Sequence, residues 1–69
     1  MSVAKIIELV ASSKKGWEDA VQAAVRESSQ TLRGVKGVDV RDWTARVENG
    51  KIVEYKANVK IAFVVEGEK

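Results

Sequence analysis

Residues 38–65 read VDVRDWTARVENGKIVEYKANVKIAFVV, and this stretch predicts a β-hairpin folded at Asn49-Gly50. In its second arm, apolar residues fall on every odd position from Val53 to Val65, and polar residues alternate with them as far as Lys60. A period of two indicates a strand with one buried face and one polar face. Asn-Gly between two such arms favours a type I′ turn, because both residues accept a positive φ. The hairpin is therefore the element on which the rest of the chain is expected to pack.

The residues before the hairpin predict a strand and then a helix. Val3–Ala11 is dense in β-branched residues and apolar on both faces, so we expect it at the centre of a sheet or covered on both sides. Lys14–Arg33 carries a helical stripe of mostly small residues, with Ser13 as the expected N-cap and Gly34 as the residue after its end. With Val38–Glu48 as the first arm of the hairpin, the order is β-α-β-β. The predicted fold class is α+β, in one domain over residues 1–69.

A two-residue turn also predicts the register of the hairpin. In that register a second apolar patch lies near the turn, on the face opposite the main stripe, and no element of the chain is left to cover it. Such a patch usually marks a protein interface. A bulge would shift the pairing by one residue. The patch comprises Trp43, Ala45, Val47 and Ile52, and the predicted pairs are Val38–Ile61, Val40–Val59, Asp42–Ala57, Thr44–Tyr55, Asp39–Lys60, Arg41–Asn58, Trp43–Lys56 and Val47–Ile52.

Length and composition point to self-association. A chain of 69 residues gains little net stability from its core, and without Cys or His it has neither a disulfide nor a zinc site of the usual kind. Oligomerisation is the remaining means of stabilisation. The net charge of +2, from 12 basic and 10 acidic residues, does not indicate nucleic acid binding, and no apolar run is long enough to span a membrane. The first residues do not resemble a signal peptide, so we expect a cytoplasmic protein.

Few residues suggest chemistry. The sequence offers no nucleophile paired with a base, so we do not expect an enzyme. Lys14 and Lys15 at the start of the helix could hold an anion, although two solvated lysines explain them better. Trp43 could form a cation–π pair with Lys56 or stack on a planar ligand, but burial at an interface is the simpler interpretation. The segment Glu48-Asn49-Gly50 could offer oxygen ligands to a hard cation, or be only a surface turn.

Four short strings, in this order and at this chain length, resemble the dodecins, a family of small flavin-binding proteins that assemble as hollow dodecamers. No single string is diagnostic, but together they cover nearly the whole chain. The resemblance implies a three-stranded antiparallel sheet wrapped around one helix, with twelve copies in a closed shell. The strings are Lys5-Ile6-Ile7-Glu8-Leu9-Val10 with Ser12-Ser13, Gly16-Trp17-Glu18-Asp19-Ala20, Gln30-Thr31-Leu32-Arg33, and Tyr55-Lys56-Ala57-Asn58-Val59-Lys60-Ile61-Ala62-Phe63.

The resemblance also implies a flavin site, and this chain departs from it. The family's flavin-stacking Trp falls on Gly37, and its flavin-contacting Gln falls on Lys56. The basic residue usual in the second strand falls on Thr44, with Arg46 two positions further on. Losing the Trp removes a stacking surface, and replacing Gln by Lys leaves only donors. Trp43 could replace the lost ring from another position.

Two main hypotheses follow for the ligand of a homododecamer. One is binding and storage of a flavin (FMN or riboflavin) or a similar planar anion, at Gly37, Trp43, Thr44, Arg46 and Lys56. The other is a non-flavin assembly that holds calcium at carboxylates related by symmetry, as in family members that lack the flavin Trp and that the Gly16-Trp17-Glu18 string resembles. The metal ligands are not specified by the sequence. A third and weaker hypothesis is an anion or nucleotide binder that uses Lys14, Lys15 and Lys56.

Overall fold

The computed structural model describes residues 3–65 and confirms the α+β fold with the order β-α-β-β. The elements are β1 (Val3–Ser13), α1 (Trp17–Thr31), β2 (Val35–Glu48) and β3 (Lys51–Val65). The three strands form one antiparallel sheet in the order β1-β3-β2, and α1 packs against one face of it. We call this side the helix face and the other side the outer face. The helix within residues 3–65 is not long and apolar enough to cross a membrane.

The turn of the hairpin is the one that the sequence predicts. Asn49 and Gly50 have φ of 52° and 76°, which are the positive values that a type I′ turn requires. Glu48 pairs with Lys51 directly across the turn. Asn and Gly tolerate this backbone region better than other residues, so local sequence alone specifies where the chain reverses.

The helix is shorter at its start than the sequence predicts. It begins at Trp17 rather than Lys14, and the N-cap is Gly16 rather than Ser13, which is the last residue of β1. The Ser13 hydroxyl instead donates to the Asp19 carboxylate at 2.7 Å and accepts from the Lys15 backbone N–H at 2.9 Å. The serine therefore stabilises the turn into the helix without occupying the cap position itself.

The first strand lies at an edge of the sheet, so the prediction of a central strand is wrong for β1 within a single chain. Its odd residues lie on the helix face, where Leu9 pairs with Val59 and Ala11 with Ala57. Its even residues lie on the outer face, where Ile6 and Val10 are exposed. No element of the described part of the chain covers that face. Of the two apolar faces of β1, only the helix face packs against another element within residues 3–65.

Near its turn, the hairpin contains two bulges, and between them its register differs from the predicted one. The pairs Val38–Ile61 and Val40–Val59 are as predicted, but the register shifts between Val40 and Asp42 and shifts back between Arg46 and Val47. Between the bulges each predicted pair is wrong by one residue. Trp43 lies opposite Ala57 instead of Lys56, and Thr44 lies opposite Lys56 instead of Tyr55; the other corrected pairs are Asp42–Asn58, Ala45–Tyr55 and Arg46–Glu54.

The core is small, and it ends before the hairpin does. Five apolar residues are fully buried between α1 and β3, namely Ala20, Ala24, Ala57, Val59 and Ile61. A helix of 15 residues spans about 22 Å, whereas a strand of 15 residues spans about 50 Å. The longest dimension of the molecule is 57 Å, because the turn of the hairpin extends past the helix. One end of the sheet is therefore exposed on both faces.

Candidate functional site

Five polar side chains gather on the outer face, close to where the helix begins on the other side. Thr44 lies opposite Lys56 on one side of β3, and Ser12 lies opposite Lys56 on the other. Arg46 and Glu54 form the next pair toward the turn. We call Ser12, Thr44, Arg46, Glu54 and Lys56 the outer-face cluster. Three of these residues, Thr44, Arg46 and Lys56, are site residues that the sequence predicted, and the structure brings them together.

Ion pairs organise the acidic and basic members of this cluster. The Arg46 guanidinium donates from Nε to Glu54 Oε1 at 3.2 Å, and its Nη1 contacts the carboxylate of Glu48. The hydrogen bond from Arg46 lowers the pKa of the Glu54 carboxyl below its ordinary value, and Ser12 and the positive charge of Lys56 act in the same direction. Glu54 is therefore ionised at neutral pH, and it neutralises much of the charge that Arg46 would offer to an anionic ligand.

Gly37 lies on the same face but far from the cluster. It pairs with Ala62, which is six residues along β3 from Lys56, or about 20 Å at the usual rise of a strand. A ligand that touches both positions would have to be long, or Gly37 would have to come from a neighbouring copy of the chain. A Cβ built on Gly37 meets no atom within 4 Å. The position is thus open, and the missing Trp is not replaced there by another side chain.

Trp43 lies on the helix face, so it does not share a surface with Gly37 and Lys56 as the sequence predicted. Its ring packs edge-to-face against Trp17, with centroids 6.1 Å apart, and Trp17 packs in the same way against Tyr55 at 4.8 Å. The Trp17 indole N–H donates to the Thr44 carbonyl at 2.8 Å. A cation–π pair between Trp43 and Lys56 is excluded, because the two side chains lie on opposite faces of the sheet.

The sequence contains a signal for the bulge that places Trp43 on the helix face. Apolar residues of β2 occupy even positions at Val38 and Val40 and then odd positions at Trp43, Ala45 and Val47. A strand that keeps one face buried cannot change phase in this way unless one extra residue is inserted between the two runs. The adjacent apolar residues Ile52 and Val53 indicate the second bulge in the same way. They also show that its extra residue lies in β3.

Comparison with known proteins identifies the family. The sequence model described as Dodecin matches residues 3–66 of this chain. The chain belongs to the dodecin family. A curated dodecin from Thermus thermophilus is 31% identical over 64 residues, which cover 93% of each chain.

Solved dodecin structures share the fold along nearly the whole chain. A tryptophan-to-phenylalanine mutant of T. thermophilus dodecin is 30% identical with a TM-score of 0.92, and the match covers 97% of this chain and 100% of that one. Dodecin from Streptomyces coelicolor is 28% identical with a TM-score of 0.91, over 97% of this chain and 96% of that one. The calcium dodecin of Mycobacterium tuberculosis, described as calcium chelating, is 25% identical with a TM-score of 0.81, over 99% of this chain and 97% of that one.

The carboxylates of residues 3–65 do not assemble a metal site within one chain. Residues 3–65 contain no group of three or more Asp, Glu, His or Cys residues placed to hold an ion. Glu48 and Glu54 both contact Arg46, and Asp39 lies 3.5 Å from the Arg41 guanidinium. Glu48, in the segment that the sequence proposed for a hard cation, is therefore already paired with a cation of the protein.

Proposed function

We propose that this protein is a self-assembling dodecin that binds and stores a small planar anion of the flavin class, in a homododecamer. The match to the family along residues 3–66 carries the proposal. The outer-face cluster supports it, because Lys56 and the hydroxyls of Ser12 and Thr44 offer hydrogen-bond donors on one exposed surface. The protein acts as a binding module in the cytoplasm and catalyses no reaction.

The outer face favours FMN over riboflavin as the ligand. Within residues 3–65, no aromatic ring lies on that face next to the cluster, since the bulge at Arg41 places Trp43 on the other side. Stacking on a ring contributes much of the affinity for a planar molecule, and this contribution is lost at Gly37. A phosphate instead forms charge-assisted hydrogen bonds with cations such as Lys56. We therefore expect modest flavin affinity that depends on the phosphate.

A fluorescence titration tests this proposal. The assembled protein is expected to quench the fluorescence of FMN more strongly than that of riboflavin, and added salt should weaken the effect because it screens charged contacts. A Lys56→Gln variant should lose the preference for FMN while it gains an amide that can both donate and accept. Absence of quenching with both flavins, together with a colourless protein after purification, would contradict the proposal.

Calcium binding is the second candidate, and Gly37 is the observation that favours it. The chain lacks the stacking Trp, and the calcium dodecin of M. tuberculosis shares its fold. Since residues 3–65 form no carboxylate cluster by themselves, calcium would have to be held by carboxylates from several copies around a symmetry axis. Calorimetric titration of the assembled protein with calcium, and of a dissociated sample as control, tests this. Heat of binding should appear only with the assembly.

A further inference from the structure

Two unburied surfaces of this chain fit each other. We infer that the turn end of the hairpin, residues 46–54, docks in a groove between β1 and α1 of a second copy. We call these residues the hairpin arm. The inference rests on the self-assembly proposed above, and it adds the two surfaces that make the contact. It concerns a contact between chains, whichever ligand the assembly binds.

The hairpin arm presents apolar side chains that no element within residues 3–65 covers. Val47 lies opposite Ile52, two and four residues beyond Ala45 and Trp43 on the helix face of β2. The helix begins at Trp17, whose ring reaches only as far as Tyr55. Beyond that point nothing within residues 3–65 covers the helix face, and Val47 and Ile52 are 59% and 46% exposed. The arm thus continues the apolar stripe of the core without a layer to cover it.

The total surface indicates how much of this area a partner has to cover. A compact protein of 7.6 kDa exposes about 4,300 Å², whereas this chain exposes 5232 Å². The excess is close to the ~800 Å² that each partner buries in a stable protein interface. The radius of gyration of 14.4 Å likewise exceeds the ~11 Å of a compact chain of this length. A second copy can supply the missing cover, as the short chain requires.

The groove that receives the arm lies on the other edge of the sheet. Its volume is about 340 Å³, and it runs between the edge strand β1 and the side of α1. This volume lies at the lower end of the ~300–1,000 Å³ typical of clefts that bind small molecules, so the groove has room for the apolar side chains of Val47 and Ile52. The lining residues are Leu9, Val10, Ala11, Ser12, Ala23, Ala24 and Glu27.

Shape and charge favour this pairing over a contact between two arms. The arm projects and the groove is concave, so each complements the other rather than itself. Glu27 is the charged residue of the groove, and Lys51 adjoins Ile52 on the arm; neither forms an ion pair within residues 3–65. A contact between two different surfaces is heterologous, and it closes into a ring when the rotation permits. A ring of this kind is compatible with the three-fold axes of a closed shell of twelve copies.

Introduced cysteines test the contact directly, because the natural chain contains none. Chains with Ile52→Cys are mixed with chains with Ala23→Cys, dissociated, reassembled and oxidised. The Cβ atoms of a disulfide lie about 4 Å apart, so only residues in contact are joined. Ser29→Cys, on the exposed side of the same helix, is the matched control for Ala23→Cys. Circular dichroism and the mass in solution show that each variant is folded and assembled.

The expected result is a covalent dimer that joins the Ile52→Cys and Ala23→Cys chains, with no such product for Ile52→Cys and Ser29→Cys. A dimer formed by Ile52→Cys chains alone would overturn the proposal in favour of a two-fold contact between arms. Assembled particles without any cross-link would overturn the arm–groove contact and leave self-assembly intact. A monomeric protein would overturn both. If Ala23→Cys does not assemble, Glu27→Cys in the same groove takes its place in the mixing experiment.

Discussion

Gly37 and Gly34 show how single glycines have opposite roles in this chain. At Gly37 the backbone is ordinary and the space around a Cβ is empty, so the glycine there is a missing side chain. At Gly34 the φ is 72°, and a Cβ would lie 3.1 Å from the Val64 carbonyl oxygen. The Val64 backbone N–H also donates to the Gly34 carbonyl at 3.0 Å. The first position is therefore open to functional change, whereas the second is fixed by the fold.

Restoring an aromatic ring at Gly37 should raise flavin affinity. Gly37→Trp places an indole on the outer face without strain, because nothing lies within 4 Å of the new Cβ. Stacking of a planar ring on an aromatic side chain contributes about 1–3 kcal/mol, so we expect FMN to bind about 5- to 150-fold more tightly. The titration compares this variant with Gly37→Ala, which should bind as the natural protein does. Unchanged affinity in the tryptophan variant would show that flavin does not approach this position.

Substituting Gly34 should destabilise the fold. Gly34→Ala forces a side chain into the left-handed region and against the Val64 backbone, which together cost roughly 1–3 kcal/mol. Urea unfolding should therefore show a lower midpoint with an unchanged slope. Gly37→Ala is again the control, since it creates neither strain nor a close contact. An unfolding midpoint for Gly34→Ala equal to that of the control would contradict the prediction.

The ionisation of Glu54 depends on its partner Arg46. Because the pKa of Glu54 is lower in the folded chain than its ordinary value of 4.5, this contact stabilises the fold above that pH. The contribution is lost as the pH falls through the folded-state pKa. In Arg46→Gln, a carbon-detected NMR titration should find the pKa of Glu54 closer to 4.5. The same value in both proteins would mean that Ser12 and Lys56, not Arg46, control this carboxyl.

Among the secondary-structure elements, the hairpin and the order β-α-β-β along the chain could be predicted, whereas the edge position of β1 and the faces of β2 could not. The turn needs only Asn49 and Gly50, and the core stripe needs only the odd residues of β3. The face of Trp43 depends instead on one inserted residue, Arg41, which local patterns permit but do not require. Pairing is a contact across the sheet, so a prediction from single strands missed a shift that the apolar residues of both arms jointly indicate.

The same reasoning explains which site residues could be found. Thr44, Arg46 and Lys56 were identified by resemblance, and the structure brings them together on the outer face. Trp43 was placed on that face by a register without bulges, and it lies on the other one. Gly37 belongs to the same face, about 20 Å away. A site that includes both Gly37 and Lys56, as proposed, would need residues from a second copy, and local sequence patterns carry no information on how copies are arranged.

Trp17 links the start of the helix to the hairpin, and removing its indole N–H should weaken this contact. Trp17→Phe keeps an aromatic ring against Tyr55 and removes the N–H that donates to the Thr44 carbonyl. A lost hydrogen bond of this kind costs about 0.5–1.5 kcal/mol. Urea unfolding of the assembled protein measures the effect, with Trp43→Phe as a control that breaks no side-chain hydrogen bond within residues 3–65. Equal stability of Trp17→Phe and the natural protein would contradict this account of the contact.

At the scale of the whole molecule, the chain leaves several large apolar side chains exposed. Five buried apolar residues form its core, while Ile6 and Val10 on the outer face, Trp43 on the helix face, and Val47 and Ile52 on the arm are exposed. Burial of such side chains contributes about 1.5–3 kcal/mol each, which is large against the 5–15 kcal/mol that stabilises an ordinary domain. The proposed assembly would supply stability that the single chain lacks, and the proposed ligand site would depend on the same assembly because Gly37 and Lys56 lie apart.

The mass of the native protein in solution tests this account most directly. Light scattering during size-exclusion chromatography at micromolar concentration should give twelve times 7.6 kDa, about 91 kDa, in one symmetrical peak. The proposed contacts between copies are mainly apolar, so moderate salt should leave the mass unchanged. A folded monomer of 7.6 kDa would contradict the account.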